Sequence, residues 1–213
     1  MKELLNQLKH HRLVPVVAID SADDAVPLAE ALCAGGLPVA EITFRTSAAE
    51  QSIRAIAKTG KMLVGAGTVL NIETAKRAID AGATFLVTPG FSHKIVEYCL
   101  SVGTPIIPGT GNATDLQAAA EYGLSAVKFF PAEAIGGLKL LKALAAPFTG
   151  LKYMPTGGIT AENLRSYLDF PPVLACGGSW MVGRETIAAK QFDAIRSLTA
   201  QAVALVKAAG AEG

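Results

Sequence analysis

The 213-residue sequence predicts an α/β protein, and within that class a (β/α)8 TIM barrel with an extra N-terminal helix, from three observations. Eight short apolar runs recur along the chain, and helix-compatible segments separate them. Glycine recurs just ahead of such runs at Gly36, Gly60, Gly82, Gly103, Gly123 and Gly150, with successive spacings of 24, 22, 21, 20 and 27 residues. A helix favours a left-handed residue just past its C-terminus, so each glycine reads as the stop of one helix and the approach to the next strand.

The elements follow in order. Residues 1–11 carry Leu4, Leu5 and Leu8 at helical spacing and predict a helix that closes or flanks the bottom of the barrel. Strands are predicted over 14–20, 38–44, 62–68, 85–90, 105–110, 126–131, 152–157 and 173–179. Most of these runs are continuously apolar, as strands covered on both faces should be, and the short crossovers between them favour parallel neighbours. Helical segments include 21–35, 47–59, 71–81, 92–102 and 114–121, several opening on Ser, Asn or Thr caps. The rival architecture is an open doubly wound sheet, but Gly65-Ala66-Gly67 supplies only two glycines of its fingerprint and Leu70 stands where the third belongs.

Composition narrows the function classes. With 51% hydrophobic and 17% charged residues the chain is the reverse of a disordered one, and no linker-like stretch divides it, so a single domain over 1–213 is expected. Nineteen Lys and Arg against eighteen Asp and Glu leave a net charge of +1, which offers no general attraction to nucleic acid or an anionic membrane. An anionic ligand must therefore be held by a local site. Three scattered cysteines, no unbroken apolar leader and no stretch near the ~18 apolar residues of a membrane span point to a cytoplasmic protein.

Charged residues inside strands become informative against this background. Glu41, Thr43 and Arg45 share parity in the second run, with Val39, Ile42 and Phe44 as apolar company, and rise toward the strand end that carries barrel active sites. They form either a reactive group or an internal ion pair that fixes packing. Lys128 stands alone in Ala126-Val127-Lys128-Phe129-Phe130-Pro131. Burial disfavours an ammonium, and a neutral amine can attack a ketone to form an imine; a lysine that reaches solvent or pairs structurally with Glu41 or Glu133 is the alternative. Glu133, just past this strand, reads as a loop or supporting residue.

The last two runs end in glycine pairs, Gly157-Gly158 and Gly177-Gly178, at the two loops where barrels commonly bind phosphate, and Ser179 supplies a hydroxyl. Gly65-Ala66-Gly67-Thr68 and Thr88-Pro89-Gly90 end two further strands, where small residues permit a ligand's approach or simply make turns. Trp180 is expected to pack beside the phosphate loop. No paired His or Cys has ligand spacing, so neither a metal nor a cofactor is inferred.

Six segments, EITFRT (41–46), VGAGTVLN (64–71), TPG (88–90), VKFFPAE (127–133), PTGGI (155–159) and GGSW (177–180), resemble the class I aldolases that cleave 2-keto-3-deoxy-6-phosphogluconate, a family with related 4-hydroxy-2-oxoglutarate activity. They occur in order and span nearly the whole chain. The resemblance implies that Lys128 forms the Schiff base and Glu41 is the general acid/base, with Arg45 and Thr68 holding a pyruvate carboxylate. Pro89 and Phe130 would line that pocket and Thr156 would face the hydroxyl-bearing carbons. Gly157, Gly158, Gly178 and Ser179 would take the phosphate. It further implies a phosphorylated keto acid as substrate and a homotrimer. An aldolase for the C4 epimer, 2-keto-3-deoxy-6-phosphogalactonate, a barrel isomerase working without an imine, and a non-catalytic sugar-phosphate sensor remain as alternatives.

Overall fold

In a computed structural model that describes residues 1–210, every one of the eight apolar runs contains parallel strand. The single domain expected over 1–213 therefore reaches three residues, 211–213, that lie outside the described ones. The chain opens with α1 (Lys2–His11), β1 (Leu13–Val17), a 3₁₀ turn at Ala22–Asp24 and α2 (Ala25–Ala34). It continues through β2 (Val39–Thr43), α3 (Ala49–Thr59), β3 (Leu63–Gly67), α4 (Ile72–Asp80), β4 (Phe85–Val87) and α5 (His93–Ser101). The fifth run is split into β5 (Ile106–Ile107) and β6 (Gly109–Thr110), since Pro108 has no N–H to give the ladder. Then follow α6 (Ala113–Glu121), β7 (Ala126–Phe129), α7 (Gly137–Ala145), β8 (Lys152–Pro155), α8 (Leu164–Leu168), β9 (Cys176–Gly178), α9 (Arg184–Ala188) and α10 (Phe192–Gly210).

Local chemistry sets the boundaries. Asn71 and Asn112 cap α4 and α6, their side-chain oxygens accepting from the amides of Thr74 at 2.8 Å and Asp115 at 3.0 Å. Gly36, Gly60, Gly82, Gly103 and Gly123 all take positive φ, as a left-handed helix stop requires; Gly150 does not, and ends its segment another way.

The strands form two parallel sheets instead of one unbroken ring. Six run in the order β5-β4-β3-β2-β1-β9 and three in the order β6-β7-β8. Each neighbour is the next in the chain until β9 returns to lie beside β1, so the winding never reverses as it would in a doubly wound sheet. Isolated parallel bridges Tyr153–Val173 and Thr156–Gly177 link β8 to the β9 segment. The result is a curled parallel sheet with helices outside it.

Because every pairing is parallel, the C-terminal ends of all strands share one rim. Register partners in a parallel pair project to the same face. Glu41 is thus level with Val16 of β1 and Gly65 of β3, and Lys128 with Gly109 of β6 and Met154 of β8. Phe85, Phe129, Tyr153 and Tyr167 are among the largest fully buried side chains of the core.

Candidate active site

Lys128 Nζ donates to Glu41 Oε1 at 3.3 Å, with the lysine 5% and the glutamate 0% exposed. The two come from β7 and β2, which are separated by β8, β9 and β1 in the bridged strand order. Their contact spans the interior of the curl. Strand parity turns both side chains inward, and the curvature of the sheet makes them meet. Glu41 Oε2 is buried without a hydrogen-bond partner among the described residues. Burying an ion pair seldom stabilises a fold, and a half-satisfied carboxylate costs more still, so the arrangement calls for a chemical reason.

The remaining residues singled out in the sequence lie along the same rim. Phe130 follows β7, its ring centroid 5.1 Å from Lys128 Nζ, and its bond to Pro131 is cis. Arg45 stands exposed two residues past β2; its Nε donates to Thr43 Oγ1 at 3.0 Å, and that hydroxyl donates to Val17 O at 2.7 Å. Thr68 follows β3 with φ 55, a left-handed backbone that a β-branched residue rarely adopts and that clusters at functional sites. Pro89 follows β4 and packs its backbone on Gly109, where a Cβ would come within 2.6 Å of Gly90 N. Thr156 is buried at the end of β8, in bridge with Gly177.

Gly157 and Gly158 form the turn after β8 with φ 94 and 82. A Cβ on Gly157 would stand 3.3 Å from the Phe130 ring, so this turn lies against the aromatic that flanks Lys128. Gly178 closes β9 beneath Trp180, whose Cε3 would be 2.7 Å from a Cβ there. Ser179 comes next and is exposed. Arg45 and Ser179, assigned to different anionic groups, share the walls of one cleft of about 240 Å³ with Val16, Gly183 and Arg184. Thr68 and Pro89 owe their place to the strands they follow.

Sequence reasoning missed two residues. Arg184, at the start of α9, enters that cleft while its guanidinium holds Asp20 through Nε and Nη2 at 2.6 and 2.5 Å, keeping the Asp20 carboxyl below its usual range. A cation in the loop after the last strand was the available signal. Tyr167 donates its hydroxyl to Glu133 and lies on a five-residue helix too short to show any pattern. Among the described residues no group of three or more His, Cys, Asp or Glu could hold a metal ion, and no helix is long and apolar enough to cross a membrane.

An inward lysine against a carboxylate, with an arginine and glycine turns at the rim, can combine an amine nucleophile, a proton acceptor and two anion holders. Comparison with known proteins bears on this arrangement. Residues 4–198 match the family model for KDPG and KHG aldolases. The 2-dehydro-3-deoxy-phosphogluconate aldolase of Treponema pallidum is 47% identical over 207 residues, covering 97% of this chain and 99% of that one. Among solved structures, the 2-keto-3-deoxy-6-phosphogluconate aldolase of Zymomonas mobilis ZM4 with 3-phosphoglycerate superposes with a TM-score of 0.88 at 38% identity, covering 96% of this chain and 97% of its own. The KDPG aldolase of Legionella pneumophila, with pyruvate captured at low pH as a covalent carbinolamine intermediate, gives 0.89 at 36% identity, covering 92% and 96%. The chain belongs to the KDPG and KHG aldolase family.

Proposed function

We propose that the protein is a class I aldolase, a carbon–carbon lyase that cleaves 2-keto-3-deoxy-6-phosphogluconate to pyruvate and glyceraldehyde 3-phosphate through an imine on Lys128. The shorter 4-hydroxy-2-oxoglutarate, giving pyruvate and glyoxylate, is a second substrate. The buried Lys128–Glu41 contact carries this reading. A proton passed across it leaves a neutral amine beside a carboxylic acid, and the amine attacks the C2 ketone. Loss of water gives an iminium, which acts as an electron sink. Glu41, once again a carboxylate, takes the C4 hydroxyl proton directly or through one water; the C3–C4 bond breaks, glyceraldehyde 3-phosphate departs and an enamine remains. Protonation at C3 and hydrolysis release pyruvate. A carbinolamine is what an amine and a ketone form before water is lost, so the Legionella complex supports this route.

Arg45 suits the pyruvate carboxylate because its planar fork bonds both oxygens, and Thr68 completes that hold. Pro89 and Phe130 line the pocket, and Thr156 faces the hydroxyl-bearing carbons. The phosphate rests on Gly157, Gly158, Gly178 and Ser179, which anchors the substrate far from the reacting carbon. The two sheets are read as one closed eight-stranded (β/α)8 barrel: β5 and β6 are a single run through Pro108, whose carbonyl accepts from Lys128 N–H at 2.8 Å, and β9 lies beside β1. We further read the chain as one domain over 1–213, acting in the cytoplasm as a homotrimer. The test is borohydride reduction with pyruvate followed by peptide mass mapping. A reduced adduct is expected on Lys128, and none on the folded but inactive Lys128→Met variant; an unmodified Lys128 in the active protein would refute the mechanism.

A further inference from the structure

The loop that leaves β7 reaches across to the turn that follows β8. Ala132 N–H donates to Thr156 O at 2.8 Å and Glu133 N–H to Gly157 O at 3.0 Å. The Glu133 side chain then lies against Gly158, where an added Cβ would stand 2.6 Å from its Cβ and 2.7 Å from its Cγ. Its Oε1 passes the start of α7, 3.1 Å from where a Cβ on Gly137 would sit, and accepts the hydroxyl of Tyr167 from α8. Glu133 is exposed on the rim, whereas Tyr167 is 1% exposed in the core. One carboxylate therefore ties a surface turn to a buried phenol.

The tied turn is the pair Gly157 and Gly158, both left-handed. Two adjacent glycines have the widest backbone freedom of any dipeptide, and amides bind an anion well only when they are held in place beforehand. Asn163 holds the outer side, donating from Nδ2 to Gly158 O and accepting Thr160 N–H, each at 2.9 Å. Glu133 holds the inner side. Burial and the adjacent carboxylate both push the Tyr167 hydroxyl upward, so it stays a donor at any working pH.

We infer that Glu133 and Tyr167 are positioning residues for the phosphate half of the site: their bond fixes the Gly157–Gly158 turn and thereby favours the phosphorylated substrate over the short unphosphorylated one. This rests on the aldolase reading above. The test compares Tyr167→Phe, Glu133→Ala and Glu133→Gln on 2-keto-3-deoxy-6-phosphogluconate and on 4-hydroxy-2-oxoglutarate. Tyr167→Phe and Glu133→Ala are expected to raise KM for the phosphorylated substrate about tenfold, the scale of one lost hydrogen bond to a charged group, with kcat little changed. KM for 4-hydroxy-2-oxoglutarate stays where it was. Glu133→Gln, whose amide oxygen still accepts from Tyr167, restores ordinary behaviour. Equal changes on both substrates, or none on either, would overturn the inference. Borohydride trapping of pyruvate on Lys128 in each variant separates the two proposals: its absence in the unsubstituted protein overturns the aldolase reading, and its persistence beside an unchanged KM ratio overturns only this one.

Discussion

Glu41 has no exposed surface, one oxygen bonded to Lys128 and the other unpartnered among the described residues. A carboxylate kept only for packing would be better replaced by an apolar side chain of similar volume, because both charges lose their hydration in the interior. In the aldolase mechanism proposed above, Glu41 moves protons between nitrogen and substrate oxygen. Glu41→Gln keeps the shape and an acceptor oxygen for Lys128 but cannot take a proton at neutral pH. It is expected to lower kcat by about 10²- to 10⁴-fold, the usual contribution of a positioned acid or base. A lactate dehydrogenase-coupled assay for pyruvate measures this, and a loss of less than about tenfold would remove Glu41 from the proton-transfer step.

At the scale of one element, β3 shows why the site has room. Gly65 and Gly67 face inward, and a methyl on Gly65 would stand only 2.3 Å from Cζ of the Phe85 ring, itself fully buried. A methyl on Gly67 would stand 2.6 Å from Glu41 Cδ. Gly65→Ala is expected to cost about 1–3 kcal/mol in urea denaturation, since an aromatic ring in a packed core cannot step aside. Gly67→Ala meets the unbranched, rotatable side chain of Glu41 instead of a ring, so it should cost less stability and more activity as the carboxyl is pushed off Lys128; the reverse order would refute this account. These glycines read in the sequence as the end of the 62–68 strand, making room for a ligand or a turn; they do lie in β3, and the space they leave is taken by the protein's own Phe85 and Glu41 side chains. The limit is physical. Helix stops and strand runs follow local rules, so five of the six glycine stops and all eight strand segments were legible, and the break at Pro108 could have been read from its missing N–H. Contacts such as Lys128 with Glu41, 87 residues apart, depend on how strands curl, which no local spacing encodes. The residues alone raised that pairing only as a structural alternative, with Glu133 as an equal candidate; nothing local announced Tyr167, and Arg184 carried no more than the signal of a cation just past the last strand.

At the scale of the whole molecule, the core outside the site holds two thiols and a phenol that lose their hydration on folding, Cys99, Cys176 and Tyr153. Cys99, Cys176 and Tyr153 are each 0% exposed, and burial pushes them up to about 11, 12 and 12 from ordinary values of 9.0, 9.0 and 10.0. The sign follows from which state keeps its protons. Below pH 9 both folded and unfolded chains hold these protons, and the groups leave stability independent of pH. Above it the unfolded chain releases thiol protons that the fold retains, so stability falls as pH rises, by up to about 1.4 kcal/mol per pH unit for each group until its folded value is reached. Urea midpoints are therefore expected to decline steadily between pH 9 and 11. Other groups titrate in that range too, so the Cys99→Ala/Cys176→Ala double variant isolates the cause. Alanine leaves a cavity whose cost is the same at every pH, and removes the two thiols whose titration is not. The variant should start less stable at pH 8 and lose stability more slowly toward pH 11, the two curves converging; parallel curves would show that the buried thiols do not govern the alkaline limit of the fold.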